Sequence, residues 1–196
     1  MTNIAVFASG NGTNFEAIAD AINNKKIDAQ IKILIVDRKK AFVINRAQKL
    51  GIPYVYVNAL KFSTREEYET EILKILKSYN IELICLAGYM KIITNVLLDS
   101  YKDKIINIHP ALLPSFKGAN GIKDAFSYGC KVFGVTVHYV SSELDAGKII
   151  AQSAFEYYGE DINELENKIH CVEHILYPKA INMVIKEIQN NEKSFN

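Results

Sequence analysis

The stretch Ile4-Ala-Val-Phe-Ala-Ser-Gly-Asn-Gly-Thr-Asn14 passes from an apolar run, through a turn holding two glycines, into an amphipathic segment that reaches about Asn23. A short apolar run bounded by a glycine turn reads as a strand buried on both faces, and apolar spacing of three and four behind it reads as a helix. The alternation then repeats. It continues through Ile31–Val36, a helix near Phe42–Leu50, Val55–Val57, a helix over Arg65–Ser78, the run Ile81–Gly88, a short helix near Thr94–Tyr101 and the strand Ile105–His109. Parallel strands joined by crossover helices are the economical arrangement of such a pattern. The expected fold is α/β: a Rossmann-like, mostly parallel twisted sheet of about seven strands with helices on both faces.

Past Gly129 the rhythm changes. Val132–Val140 alternates, with Val135, Val137 and Tyr139 set against Thr136 and His138, and Lys148–Ala154 follows a turn at Asp145–Gly147. These segments read as strands closing one edge of the sheet. From Asp161, the spacing of Ile162, Leu165, Ile169, Val172, Leu176, Ile181 and Val184 predicts a long amphipathic helix packed back across the sheet. An Asp161-x-x-Glu164 capping pattern opens it, Pro178 is expected to kink it, and the polar tail over 190–196 is expected to fray.

Composition bounds the partners. At 196 residues, with 49% apolar and 23% charged residues, the chain fits one globular domain able to bury its own core. The net charge of +1 comes from scattered charges, without the broad basic face of a nucleic-acid binder, so any anionic ligand is expected to be small. Cys85, Cys130 and Cys171 show no CxxC spacing, two of them sit inside apolar runs, and they read as buried, reduced thiols in a reducing compartment. No stretch approaches the roughly 18 apolar residues of a membrane span, and no basic leader precedes the first strand, so the expected location is cytoplasmic.

Two segments carry chemistry. In Ser9-Gly-Asn-Gly-Thr-Asn14 two glycines let backbone amides approach a ligand just ahead of a helix N-terminus, which suits a phosphate; the same glycines also serve a plain tight turn between strand and helix. The segment lacks the Lys-Ser/Thr ending of a nucleotide-binding loop, and Phe15 stands where a dinucleotide fingerprint has its third glycine. Asp37, the acid a dinucleotide site would use on ribose, adjoins Arg38-Lys-Lys40 and reads equally as part of a charged loop. In Ile105-Ile-Asn-Ile-His-Pro-Ala-Leu-Leu-Pro114, Asn107 and His109 share one face at the C-terminal end of a strand, where ligands of open α/β sheets bind. Asp145, on its glycine-containing turn, can bring a carboxylate back over that end. A donor amide, a titratable imidazole and an acid suit acyl transfer to an amine, which generates an oxyanion and releases protons. A histidine simply hydrogen-bonded at a strand end is the plainer reading of His109.

The joint pattern goes further. Ser9–Asn14, Leu86-Ala-Gly-Tyr-Met-Lys-Ile-Ile93, Asn107-Ile-His-Pro-Ala-Leu-Leu-Pro114, His138, Glu143-Leu-Asp-Ala-Gly147 and Glu173-His174 resemble the glycinamide ribonucleotide formyltransferases from first strand to last helix. The resemblance implies formyl transfer from 10-formyltetrahydrofolate to the amine of glycinamide ribonucleotide in purine (IMP) biosynthesis, with no metal and no ATP. It implies one formyltransferase domain over 1–196, phosphate-binding in its half up to about 100 and catalytic and folate-binding from about 101 to 190. His109 would be the general acid, Asn107 a donor to the oxyanion, and Asp145 the carboxylate supporting the charged imidazole. Gly12, Thr13 and Asn14 would hold the phosphate and Glu173 the ribose or glycinamide. Arg65, Met90, Lys91, Ile92, Ile93, Asn107, Val140 and Leu144 would border the folate. The partners would be these two small molecules, with no nucleic acid and no membrane, in a monomer or homodimer. Ile122, where the family often has histidine, and Lys91, where it commonly has arginine, depart from the pattern and bear on affinity.

Two other readings compete. His170-Cys-Val-Glu-His174 matches the H-x-x-E-H pattern of a zinc peptidase, but only Glu187 and Glu192 follow as further ligands. A related folate hydrolase, or a formyltransferase acting on a different amine, would share the fold. Such relatives usually carry an extra domain before or after it, and the glycine loop suits a phosphorylated substrate.

Overall fold

A computed structural model describes residues 1–193. The N-terminal apolar run forms β1 (Thr2–Ala8), and the glycine turn delivers the chain into α1 (Thr13–Asn23). There follow β2 (Ala29–Val36), α2 (Val43–Lys49), β3 (Tyr54–Tyr56), a 3-10 turn at Ala59–Lys61, α3 (Arg65–Ser78), β4 (Leu83–Leu86), α4 (Asn95–Ser100), β5 (Ile105–His109), α5 (Gly121–Tyr128), β6 (Val132–Tyr139), β7 (Ile149–Glu156) and α6 (Ile162–Lys193). The 3-10 turn and α5 have no counterpart in the expected pattern. Gly118 and Gly121 at the start of α5 and Gly129 after its end make its segment read as a loop.

All seven strands join one sheet in the order β3-β2-β1-β4-β5-β6-β7. Strands β1 to β5 pair in parallel, and β6 and β7 add antiparallel at one edge. The strand order turns back at β1, which leads outward to β2 on one side and lies beside β4 on the other. At such a switch point the loops leaving two neighbouring strands diverge to opposite faces and open a crevice at the carboxyl ends. The glycine turn and the segment after β4 flank it.

Alternate residues of β1 feed two apolar layers. Ile4, Val6 and Ala8 pack with Phe15 and Ile18 of α1 and with Leu165, Ile169 and Tyr177 of α6. Ala5 and Phe7 pack on the opposite face with Ile72 and Leu76 of α3 and Leu97 of α4. Burying a side chain of this size is worth about 1.5–3 kcal/mol.

Helix α6 runs unbroken across Pro178 for 32 residues, roughly 48 Å. Its start differs from a full capping box. Asp161 Oδ1 accepts from Asn163 N at 2.8 Å, while Glu164 takes the Tyr157 hydroxyl at 3.2 Å and pairs with Lys168. The helix continues through the first residues of the tail expected to fray, and residues 194–196 lie outside the described residues. Tyr177, fully buried, donates its hydroxyl to Leu86 O at 2.8 Å and lies 3.2 Å from Ile106 O, tying α6 to β4 and β5 just behind the crevice. Tyr177→Phe leaves these buried carbonyls without that donor and is expected to lower the unfolding free energy in urea by about 1–2 kcal/mol; an unchanged midpoint would show that the hydroxyl contributes nothing.

Candidate active site

At the end of β1, Gly12 precedes α1 with φ of 80°, and a Cβ there would lie 2.3 Å from Val43 Cγ2, so only glycine fits. No side chain caps α1. Among the described residues the amides of Thr13, Asn14 and Phe15 therefore have no partner, and they converge where the helix dipole favours an anion. Arg46 of α2 stiffens this turn: Nε donates to Asn11 O at 2.9 Å, Nη2 to Asn11 Oδ1 at 3.0 Å, and the guanidinium also pairs with Glu16.

From the far side α6 contributes Glu173, only 4% exposed, whose Oε2 accepts from Asn14 Nδ2 at 3.1 Å and from His170 Nδ1 at 2.8 Å. The Asn14 side chain is thus committed to Glu173, and its backbone amide is what it can offer an anion. The hydrogen bond to Glu173 raises the pKa of His170, with burial opposing.

The catalytic candidates meet at the end of β5. Asn107 and His109 stand on one face of that strand, and β6 places His138 opposite Asn107 and Thr136 opposite His109. Asp145 arrives on the turn after β6 with φ of 49°. Gly147 makes that turn possible, since a Cβ on it would sit 1.7 Å from Tyr139 O. Asp145 Oδ2 lies 3.5 Å from His109 Nδ1 and accepts from Gly118 N at 2.8 Å, while Oδ1 lies 3.6 Å from His138 Nε2. The carboxylate expected to serve His109 is therefore shared between two imidazoles. His138, then the Gly118 amide and the nearby His109, hold its pKa down to about 2 against the opposing effect of burial. His109 is 4% exposed and its Nε2–H donates to Phe116 O at 2.8 Å.

A cavity of about 850 Å³ joins these parts, running from Gly12 past Asn107 and His109 to a wall of Met90–Ile93, Val140 and Leu144. Lys91 and Ile122, the two departures from the family pattern, both line it. Arg65 stands apart, in an adjoining hollow of about 410 Å³ that shares Met90, Lys91 and Ile92. The Lys91 ammonium lies 5.7 Å from the centre of the Tyr68 ring. The segment after β4 is pinned at both ends. Ser9 Oγ accepts from Met90 N at 2.9 Å, and buried Glu69 accepts from Thr94 N at 2.8 Å and Thr94 Oγ1 at 2.7 Å. Burial raises the Glu69 pKa, with the Thr94 hydrogen bonds opposing.

The residues that sequence reasoning left without a role are His138, Arg46, Glu69 and Ser9. The alternation of Val132–Val140 put His138 on a polar face, but only the pairing of β5 with β6 shows what it faces. His170 and His174 stack at 6.4 Å, with His170 Nδ1 taken by Glu173. Among the described residues no group of three or more His, Cys, Asp or Glu side chains could hold a metal ion, so the zinc-peptidase reading lacks its third ligand.

The Asp145 carboxyl ties stability to pH. Its folded pKa of about 2 lies below the ordinary 3.8, so its ionised form stabilises the fold fully above pH 4, and that stabilisation is lost as pH falls through 2. Wild type is expected to lose on the order of 2 kcal/mol more than Asp145→Asn between pH 4 and pH 2, read by urea unfolding across that range. Parallel curves for the two proteins would contradict the assignment.

The formyl transferase family model matches residues 2–181. The phosphoribosylglycinamide formyltransferase of Bacillus subtilis is 43% identical over 195 residues, 99% of this chain and 100% of that protein. Among solved structures, glycinamide ribonucleotide transformylase 1 from Geobacillus kaustophilus superposes with a TM-score of 0.91 at 44% identity, covering 94% of this chain and 98% of that one. Phosphoribosylglycinamide formyltransferase from Bacillus halodurans superposes with a TM-score of 0.92 at 38% identity, covering 96% and 98%. With the sheet order, the crevice and nearly the whole sequence in agreement, the chain belongs to the formyl transferase family.

Proposed function

We propose that the chain transfers the formyl group of 10-formyltetrahydrofolate to the amine of glycinamide ribonucleotide, a step of purine biosynthesis. The observation that carries this reading is the single cavity with an anion-ready helix terminus at one end, an apolar wall at the other, and Asn107, His109 and Asp145 between them. The uncapped amides after Gly12 take the phosphate, Glu173 meets the ribose or glycinamide, and Met90–Ile93, Val140 and Leu144 border the folate. Arg65, in the adjoining hollow, reaches the folate from outside the main cavity.

The amine lone pair attacks the formyl carbon, and the carbonyl electrons move onto oxygen. An N–H of Asn107 and the His109 ring stabilise that oxyanion, while Asp145 supports the positive charge on the imidazole. The His109 Nε2–H, held by Phe116 O, passes to the substrate oxygen as that backbone segment withdraws. Collapse re-forms the carbonyl as its oxygen returns the proton to His109, and it breaks the bond to the folate nitrogen, which leaves with the proton given up by the attacking amine. None of these steps calls on a metal or ATP.

The hydrolase alternative would need only water, and the anion site beside the catalytic set favours a phosphorylated acceptor instead. We read the chain as one formyltransferase domain, with the phosphate turn in the half up to about residue 100 and the catalytic strand beyond it. The catalytic candidates all come from one chain, so a monomer or a homodimer would serve. Of the three thiols expected to be buried only Cys85 is, Cys130 being half-buried and Cys171 exposed on α6; all three are unpaired, which supports the cytoplasm as its compartment.

Purified protein given both substrates, without ATP or added metal, is expected to yield formylated product and tetrahydrofolate. His109→Ala and Asp145→Asn should each lower kcat on the order of 10²–10⁴-fold. Release of formate in the absence of the ribonucleotide would show a hydrolase, and binding of both substrates without product would show a binding module.

A further inference from the structure

Strands β5 and β6 pair with Asn107 directly opposite His138, so both side chains stand on the same face at the mouth of the cavity. The β6–β7 register slips between Val137 and His138, the kind of irregularity that re-aims a side chain beside a site. His138 is 2% exposed. Its Nδ1 lies 2.9 Å from Tyr139 O, and its Nε2 lies 3.3 Å from Asn107 Nδ2 and 3.6 Å from Asp145 Oδ1. A carbonyl oxygen can only accept, so Nδ1 carries a hydrogen; Nε2 donates toward Asp145 Oδ1 when the ring is protonated and is a lone pair when the ring is neutral. That lone pair accepts one of the two Asn107 amide hydrogens. The reverse orientation of Asn107 would set its oxygen against the same lone pair, acceptor against acceptor.

We propose that His138 is a positioning residue for formyl transfer: by accepting one amide hydrogen of Asn107 it dictates which way the amide faces and leaves the second N–H for the oxyanion. This rests on the formyl-transfer reading and on Asn107 as an oxyanion donor. The role differs from that of a histidine merely satisfied in the core, because it acts through one named partner and on the transition state. A core role would show in stability and would not depend on Asn107.

The test is a double-mutant cycle on the full chain, with both substrates and with thermal unfolding recorded for each variant. His138→Phe is expected to lower kcat about 10²-fold, the size of one lost oxyanion donor, with both KM values within about twofold of wild type. His138→Gln, whose side-chain oxygen can still accept from Asn107, should recover most of that loss. In an Asn107→Ala background, His138→Phe should cost nothing further, because the group it orients is gone. Losses that multiply fully in the double variant, or a His138→Gln enzyme as slow as His138→Phe, would overturn the proposal. If His138→Phe does not fold, His138→Asn, whose shorter amide falls short of Asn107, replaces it in the cycle with the same expectations. An inactive wild type would instead sink the formyl-transfer reading.

Discussion

Only 7% of the Asp145 side chain meets solvent, and a carboxylate so placed must find compensation or take up a proton. Compensation comes from His109 on β5, from the backbone amide of Gly118 ahead of α5 and, when its ring is protonated, from His138 on β6. Those groups come together only if β5 and β6 pair in the observed register and the turn after β6 folds back tightly over Tyr139. Gly147 permits that turn, and a side chain there would collide with the Tyr139 carbonyl. The charge at the centre of the site thus demands a particular strand pairing, a particular turn and a particular glycine.

Around that centre the sheet does the spatial work. Because strand order reverses between β1 and β4, the two loops that flank the crevice come from strands lying side by side. They are also joined directly. Ser9 N donates to Gly88 O at 3.1 Å and Ser9 Oγ accepts from Met90 N, so the glycine turn and the apolar wall meet at one buried serine. On the outer side, Glu69 fixes the far end of the wall to α3, while Tyr177 braces β4 and β5 from α6. A two-substrate reaction gains from such rigidity, since the reacting atoms have to meet within a few tenths of an ångström.

Much of this was legible in the sequence, for a physical reason. Strands buried on both faces are unbroken apolar runs, and the crossover helices between them are amphipathic, so Ile4–Ala8, Ile31–Val36 and Ile105–His109 announced themselves together with the parallel sheet. The parity of Asn107 and His109 also needed nothing beyond the two-residue repeat of a strand. What stayed hidden depends on distances along the chain that no local rule covers. Nothing near His138 says that it opposes Asn107, since register is set by how β5 and β6 meet. Arg46 looks like a solvated helix residue until α2 is seen packed beside Asn11, and the Asn14–Glu173 bond closes across 159 positions. Helix α5 escaped because Gly118, Gly121 and Gly129 make its surroundings read as a loop.

The backbone ahead of α5 also satisfies both His109 and Asp145. Phe116 O accepts the His109 Nε2–H at 2.8 Å, and two residues on Gly118 N donates to Asp145 Oδ2 at the same distance. One short segment therefore supplies an acceptor to the His109 imidazole and a donor to its carboxylate partner. Phe116 reaches that position with φ of 53°, a conformation that non-glycine residues adopt at a cost. The cost is reasonable against the alternative, because a buried donor left without a partner forfeits about 1–3 kcal/mol. On the proposed mechanism the substrate oxygen would replace Phe116 O as the acceptor of that N–H, whose donor is already held in place by the strand and by Asp145.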